Sequence, residues 1–354
     1  MKVLAINSSP RKGEQSKTAL LLTHLLKGME EAGAEVETVN LREKKVKNCI
    51  GCFTCWTKTP GVCVHQDDMT RDIFPKMKEA DLVVYATPLY HFTLNGSMKT
   101  LVERTLPMLE PFFVEKNGKT LHPLRFEPPP VVFLSVAGFP EDAVFDLLSS
   151  WVRFLFRRGL VAEIYRPAAE VLSNPIFQTI REDILDATIK AGQEIISDRT
   201  VTPETMARIK QPIADSHFLQ TMGNLFWKTC LAEGVTPQEF TEKNMIPRPD
   251  SIETFMTLLE MGFNPDKTRD TQATLQFDFS GEEEGSCFFT IHRGTIKGSS
   301  GTAKKPDLTI KAPFDVWMDI MTGKADGQQA FMEGKYRFEG DLNLLMRMGE
   351  FFGR

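Results

Sequence analysis

Short apolar runs alternate with amphipathic stretches over the first half of the chain. KVLAIN (2–7) has the pattern of a buried strand and ends in a Ser-, Pro- and Gly-containing loop. SKTALLLTHLLKGMEEAG (16–33) follows with helical spacing at Leu20, Leu21, Thr23, Leu25 and Met29, and Gly33 is a stop signal. AEVETVNL (34–41) alternates as a strand does. DLVVYATP (81–88) and PVVFLSVAG (130–138) are near-continuous apolar runs, as expected of parallel strands covered on both faces. Helical patterns succeed them at 97–109 and 141–159. LVAEIY (160–165) reads as a fifth strand, with a helix near 176–197 after it.

Five strands alternating with helices predict an α/β fold, a doubly wound parallel sheet of the flavodoxin-like order 2-1-3-4-5. Ligands bind such sheets at the C-terminal strand ends, at the switch point between the first and third strands. This domain is expected to occupy residues 1–197. From 198 to 250 the chain carries Pro-punctuated helical pieces and no strand pattern. It reads as a helical connector with an apolar face of Phe218, Leu219, Met222, Leu225, Phe226 and Trp227. From 251 a helix ends at Gly262, and strand patterns follow at 274–281, 286–294, 295–301 and 307–313. Two helical segments, a short strand and a terminal amphipathic helix complete an α+β domain over 251–354.

Composition fits this division. A chain of 354 residues is too long for one ordinary core. A net charge of −5 argues against nucleic-acid binding, which needs a basic face. No apolar run reaches the roughly 18 residues of a membrane span, and the first residues lack a signal-peptide core. The expectation is a cytoplasmic protein without stable membrane insertion, where clustered cysteines serve as ligands or redox groups more often than as structural disulfides.

The loop SSPRKGEQSKT joins the first strand to the first helix. A helix N-terminus offers free N–H groups and the positive end of a dipole. Ser8, Ser9, Ser16 and Thr18 add hydroxyls, and Arg11 a charged donor. Neither a GxGxxG fingerprint nor a GxxxxGK[ST] loop is present, so a single phosphate, as in FMN, fits better than a pyrophosphate or triphosphate. After the third strand, TPLYHFTLNGSMKTLVER supplies Pro88 to stiffen a turn and Tyr90 and Phe92 as flat faces. The fourth strand ends in SVAGFP, where Ala137 and Gly138 permit close approach of backbone to a ring edge.

INSSPRKGEQSKTALLL, CIGCFTCWTKTPGVCVHQDDM and ATPLYHFTLNGSMKTLVER together resemble the NADPH-dependent FMN reductase and iron-sulfur flavoprotein family, over about residues 1–195. The resemblance implies an FMN held by these three loops. Its phosphate would contact Ser9, Arg11, Ser16 and Thr18. Pro88, Leu89, Tyr90 and Phe92 would lie by the isoalloxazine, with Ala137 and Gly138 at its far edge. The flavin would carry the redox chemistry, with no side chain assigned as catalytic.

Cys49, Cys52, Cys55 and Cys63 have the spacing C-x2-C-x2-C-x7-C. Two successive short gaps let three thiolates converge on one small centre, which suits a cubane cluster. The resemblance implies a [4Fe–4S] cluster near the flavin. Tetrahedral zinc and thiols without metal, packed or paired reversibly, are the alternatives. Asp67 and Asp68 are expected to cap a helix over 69–80, and His65 to be a surface residue. Cys230 and Cys287 are expected to be buried as small apolar residues.

PDLTIKAP, GKADGQQAFMEGK and YRFEGD, in that order, resemble the sterol carrier protein type two family, over about residues 251–354. The resemblance implies a sheet and helices around an apolar tunnel for lipid or another hydrophobic ligand. Trp317, Met318, Ile320, Met321, Phe331, Met332, Leu345, Met346, Met348 and Phe351 are its candidate lining, with an ordinary packed core as the competing reading.

The expected function is an FMN-dependent oxidoreductase. It would take electrons from NAD(P)H or a protein donor and reduce an acceptor that the C-terminal domain could present if hydrophobic. A non-enzymatic electron-transfer or redox-sensing flavoprotein with a lipid-binding tail is the alternative. A homodimer is expected.

Overall fold

A computed structural model describes residues 1–353, without the side chains of Glu14 and Arg158. Its contacts divide the chain into two units, Met1–Ala214 and Asp215 onward. In the first, β1 (Lys2–Asn7), α1 (Lys17–Glu31) and β2 (Glu35–Asn40) are followed by α2 (Phe74–Glu79), β3 (Leu82–Pro88) and α3 (Gly96–Glu103). A small hairpin, β4 (Val114–Lys116) and β5 (Lys119–Leu121), precedes β6 (Val131–Val136), α4 (Asp146–Phe156), β7 (Leu160–Arg166), α5 (Gln178–Asp198) and α6 (Pro203–Lys210). The main sheet has the order β2-β1-β3-β6-β7 and every pairing in it is parallel, the flavodoxin-like arrangement.

Strand alternation sorts the apolar residues into two cores. Val3, Ala5, Val84, Leu134 and Ile164 face α1 and α5, while Leu4, Ile6, Val83, Phe133 and Tyr165 face Met98 and Leu101 of α3 and Leu148 of α4. Both faces are covered, so β1, β3 and β6 read as continuous apolar runs. On one side α1 and α5 meet backbone to backbone through glycine. A Cβ at Gly28 would lie 1.8 Å from the Ile189 carbonyl oxygen, and one at Gly192 2.1 Å from that of Leu25.

Three local departures from the apolar pattern have identifiable causes. The helix expected over 69–80 opens as a π turn, Met69–Ile73, with the Phe74 N–H reaching the Met69 carbonyl. Pro75 follows directly and has no N–H to continue an α ladder backwards. The helix expected over 97–109 ends at Glu103, and Pro107 lies in a separate 3-10 turn, Leu106–Met108. The β4–β5 hairpin has no counterpart in the apolar pattern. Its turn is Asn117–Gly118, both at positive φ, the pair that favours a tight hairpin.

The second unit contains α7 (Ser216–Glu233), α8 (Pro237–Glu242), α9 (Ile252–Met261), β8 (Gln272–Ser280), β9 (Gly285–His292), β10 (Thr295–Ser300) and β11 (Leu308–Pro313). It ends with α10 (Phe314–Thr322), α11 (Gly327–Met332), β12 (Arg337–Gly340) and α12 (Leu342–Phe351). Its sheet runs β10-β9-β8-β11-β12, with β8 and β11 parallel and the other pairs antiparallel. The interior is rich in aromatic rings. Phe255 meets Phe277 and Phe279 edge-on, each at 5.1 Å, and Trp317 meets Tyr336 at 5.4 Å. Of the candidate tunnel residues, Trp317, Met318 and Phe351 lie in this core, whereas Met332 and Met346 are 73% and 74% exposed. Cys230 and Cys287 are both buried. No helix among the described residues is long and apolar enough to cross a membrane.

Candidate functional site

Three loops meet at the C-terminal edge of the parallel sheet. The first leaves β1 at Asn7 and enters α1 through Ser16, whose hydroxyl caps the helix by accepting from the Ala19 N–H at 3.1 Å. Ser16 Oγ also donates to Ser9 Oγ at 2.8 Å, and the Asn7 side chain accepts from the Ser9 N–H. Ser8, Ser9, Ser16 and Thr18 are all buried, and the Ser9 and Ser16 hydroxyls meet at the helix N-terminus, whereas the Ser8 hydroxyl donates to the Ala86 carbonyl at 3.2 Å. Arg11 does not join them. Its guanidinium reaches Glu170, after β7, at 2.7 Å, with both side chains about half exposed.

The second loop follows β3. Pro88 is buried and Leu89 half-buried, whereas Tyr90 and Phe92 are 43% and 44% exposed. Tyr90 and Thr93 exchange two backbone hydrogen bonds around His91 and Phe92, both at positive φ. This is the backbone of a type I′ turn carried by two residues that disfavour it, and it stores strain at the loop tip. The third loop follows β6, with Ala137 buried and Gly138 open. Phe139 stacks on Phe92 with ring centroids 5.9 Å apart, which brings the second and third loops into contact.

Asn95 joins the first two loops, and the apolar pattern gave no sign of it. Its side-chain N–H donates to the Ser8 carbonyl at 2.6 Å, while its oxygen accepts from the Met98 N–H and caps α3. The signal was the Asn-Gly pair at a helix start.

The four clustered cysteines line a single pocket with Ile50, Phe53, Val64, His65, Glu103, Arg104, Leu106 and Pro107. Cys55 is buried, Cys49 and Cys63 half-buried, and Cys52 exposed. Gly51 and Phe53 at positive φ, with Gly61 closing a turn onto the Cys55 carbonyl, fold the loop around them. Burial pushes the Cys55 thiol up, and the neighbouring Cys63, Cys52 and Cys49 push it further. Among the described residues no three His, Cys, Asp or Glu side chains converge closely enough to hold a metal ion. The four thiols share one pocket.

Behind this pocket lies a buried ion pair. Arg104, which ends α3, donates to Asp67 in a two-pronged contact of 2.7 and 3.0 Å. Asp67 also accepts from the Lys47 N–H, and from the Thr70 N–H as a cap would. Asp68 makes no such cap and instead accepts from the Lys45 N–H. The capping expectation thus holds for one weak contact only, because Arg104 claims the Asp67 carboxylate. Burial opposes the charge on Asp67, yet hydrogen bonds from Arg104 and Lys47 outweigh it and hold the carboxyl well below its usual range. His65 is half-buried and lines the pocket, with its Nε2 on the Asn48 carbonyl.

With this geometry in place, comparison with known proteins sorts the two units. Residues 1–138 match the NADPH-dependent FMN reductase family and residues 256–353 the SCP-2 sterol transfer family. An iron-sulfur flavoprotein of Archaeoglobus fulgidus is 42% identical over 108 residues, 30% of this chain and 46% of its own length. Hydroxysteroid dehydrogenase-like protein 2 of Bos taurus is 25% identical over 141 residues, 39% of this chain and 34% of its own. A solved NAD(P)H:quinone oxidoreductase from Methanothermobacter marburgensis aligns with 55% of this chain and 96% of its own at 16% identity and a TM-score of 0.42. The chain spans about half the length of the iron-sulfur flavoproteins it matches. This chain therefore joins a domain that matches the NADPH-dependent FMN reductase family to one that matches the SCP-2 sterol transfer family.

Proposed function

We propose that the protein is an FMN-dependent oxidoreductase that takes electrons from NAD(P)H. The observation that carries this reading is the meeting of three loops at one sheet edge, within the segment matched to FMN reductases. Ser9, Ser16, Thr18 and the first turn of α1 would hold the phosphate, and Arg11 would add charge on leaving Glu170. Pro88, Leu89, Tyr90 and Phe92 would flank the isoalloxazine, and Ala137 and Gly138 would let backbone approach its far edge. When bound, the flavin supplies hydride acceptance and electron release. The side chains anchor it, orient it and exclude water from one face.

The cysteine pocket is read here as the place of a [4Fe–4S] cluster held by Cys49, Cys52, Cys55 and Cys63. A cubane needs four sulfur ligands around one small centre, and the four clustered cysteines line one pocket. The C-terminal domain is proposed to bind a hydrophobic ligand, which could serve as the acceptor. A homodimer would cover the exposed rings of Tyr90, Phe92 and Phe139.

Anaerobic rapid mixing of FMN-loaded protein with NADPH, and separately with NADH, tests the enzyme reading. Fast loss of flavin absorbance with at least one of them is expected. No reduction by either would overturn it and leave a non-enzymatic electron carrier.

A further inference from the structure

Arg104 is among the largest fully buried side chains in the protein, and its placement has two ends. One end is structural. Its Nη1 donates to Asp67 and to the Lys47 carbonyl, and its Nη2 to Asp67 and the Thr70 hydroxyl. These contacts use the four terminal N–H groups of the guanidinium. The other end faces the cysteines. The fifth donor, Nε–H, is buried without a hydrogen-bond partner. Arg104 lines the cysteine pocket whereas Asp67 does not, and Cys63 is close enough to favour the charged guanidinium. A buried donor left unpaired is costly, and the same pocket is lined by four sulfurs that carry negative charge when they act as ligands.

We propose that Arg104 is the fixed cation of the cysteine pocket, held by Asp67 so that its free N–H serves the sulfur of Cys63 and its charge sets the reduction potential of the cluster. This rests on the reading of the pocket as an iron–sulfur site. Four thiolates bring more negative charge than the iron–sulfide core offsets, and one-electron reduction adds another without breaking a bond. A cation at the pocket wall favours the reduced form, and the partner carboxylate stands behind it. Arg104 is a positioning residue, since it acts through Cys63. It also ends the helix that Asn95 starts at the flavin loops, so α3 runs between the two centres.

The test is anaerobic reconstitution of the full chain with iron and sulfide, followed by assay of bound iron and a spectroscopic redox titration with dithionite as reductant. Wild type, Arg104→Lys and the double variant Asp67→Asn/Arg104→Gln are compared, with circular dichroism and FMN uptake as checks on folding. The double variant removes both buried charges and so keeps the fold testable. Its cluster is expected to titrate at a more negative potential and to lose iron several-fold faster to a chelator, with Arg104→Lys in between. Full iron at unchanged potential in the double variant would overturn the role of Arg104 and leave the cluster reading standing. A wild type that takes up no iron would overturn the cluster reading, and this inference with it.

Discussion

Asp67 shows what a single residue contributes and why its role was hidden. From the sequence it reads as a helix cap, because Asp-Asp before Met69 is a local signal. Its main partner lies 37 positions away on Arg104, a distance no local pattern spans. The pair should be visible in acid. The carboxyl is held below its ordinary value of 3.8, so its contribution to stability is complete above that pH and is lost as pH falls toward the depressed value. Urea unfolding from neutral pH down to about pH 3 should therefore show wild type losing stability relative to Asp67→Asn/Arg104→Gln as pH falls. A constant difference between the two would contradict it. Arg104→Gln alone strands a buried carboxylate and is expected to cost ~3–5 kcal/mol, measured in the same way. The turn at His91–Phe92 makes the opposite prediction. His91→Gly relieves a positive φ and should stabilise the fold by about 1 kcal/mol with FMN affinity unchanged. Phe92→Gly should also stabilise it but weaken FMN, because the proposed site places this ring against the flavin. Equal FMN affinity in the two variants would remove Phe92 from the site.

At the scale of elements, periodicity was a good guide wherever burial decides the outcome. β1, β3 and β6 are buried on both faces, and their apolar runs marked them and their parallel order. Elements set by backbone chemistry were not legible in the same way. The hairpin at Asn117–Gly118 is exposed, so it carries no apolar stripe. The π turn before Pro75 depends on one missing N–H, and the contact of α1 with α5 depends on two side chains that are absent. That contact is sharply testable. Gly28→Ala forces a methyl group onto the Ile189 carbonyl, so α5 must move, and a loss of at least ~1–3 kcal/mol is expected from urea unfolding. Wild-type stability in Gly28→Ala would mean that the helices lie further apart.

Over the whole molecule, two units each have their own core, which predicts that 1–214 and 215–354 fold cooperatively when expressed apart. Fragments that stay unfolded by circular dichroism would contradict that. The parallel sheet and the meeting of three loops at one edge were readable because motif and sheet edge coincide: the Ser-rich loop, the Tyr90 loop and Gly138 all follow strands whose C-terminal ends share one side of the sheet. Arg104, Asn95 and Glu170 were not, since each acts through a residue distant in sequence. The most direct test of the account is the flavin content of this 354-residue chain, purified anaerobically, after incubation with FMN and desalting. A yellow protein that retains stoichiometric FMN, and loses it when Ser9 and Ser16 are both changed to Ala, is the predicted result. A colourless protein that takes up no FMN would contradict the account at its centre.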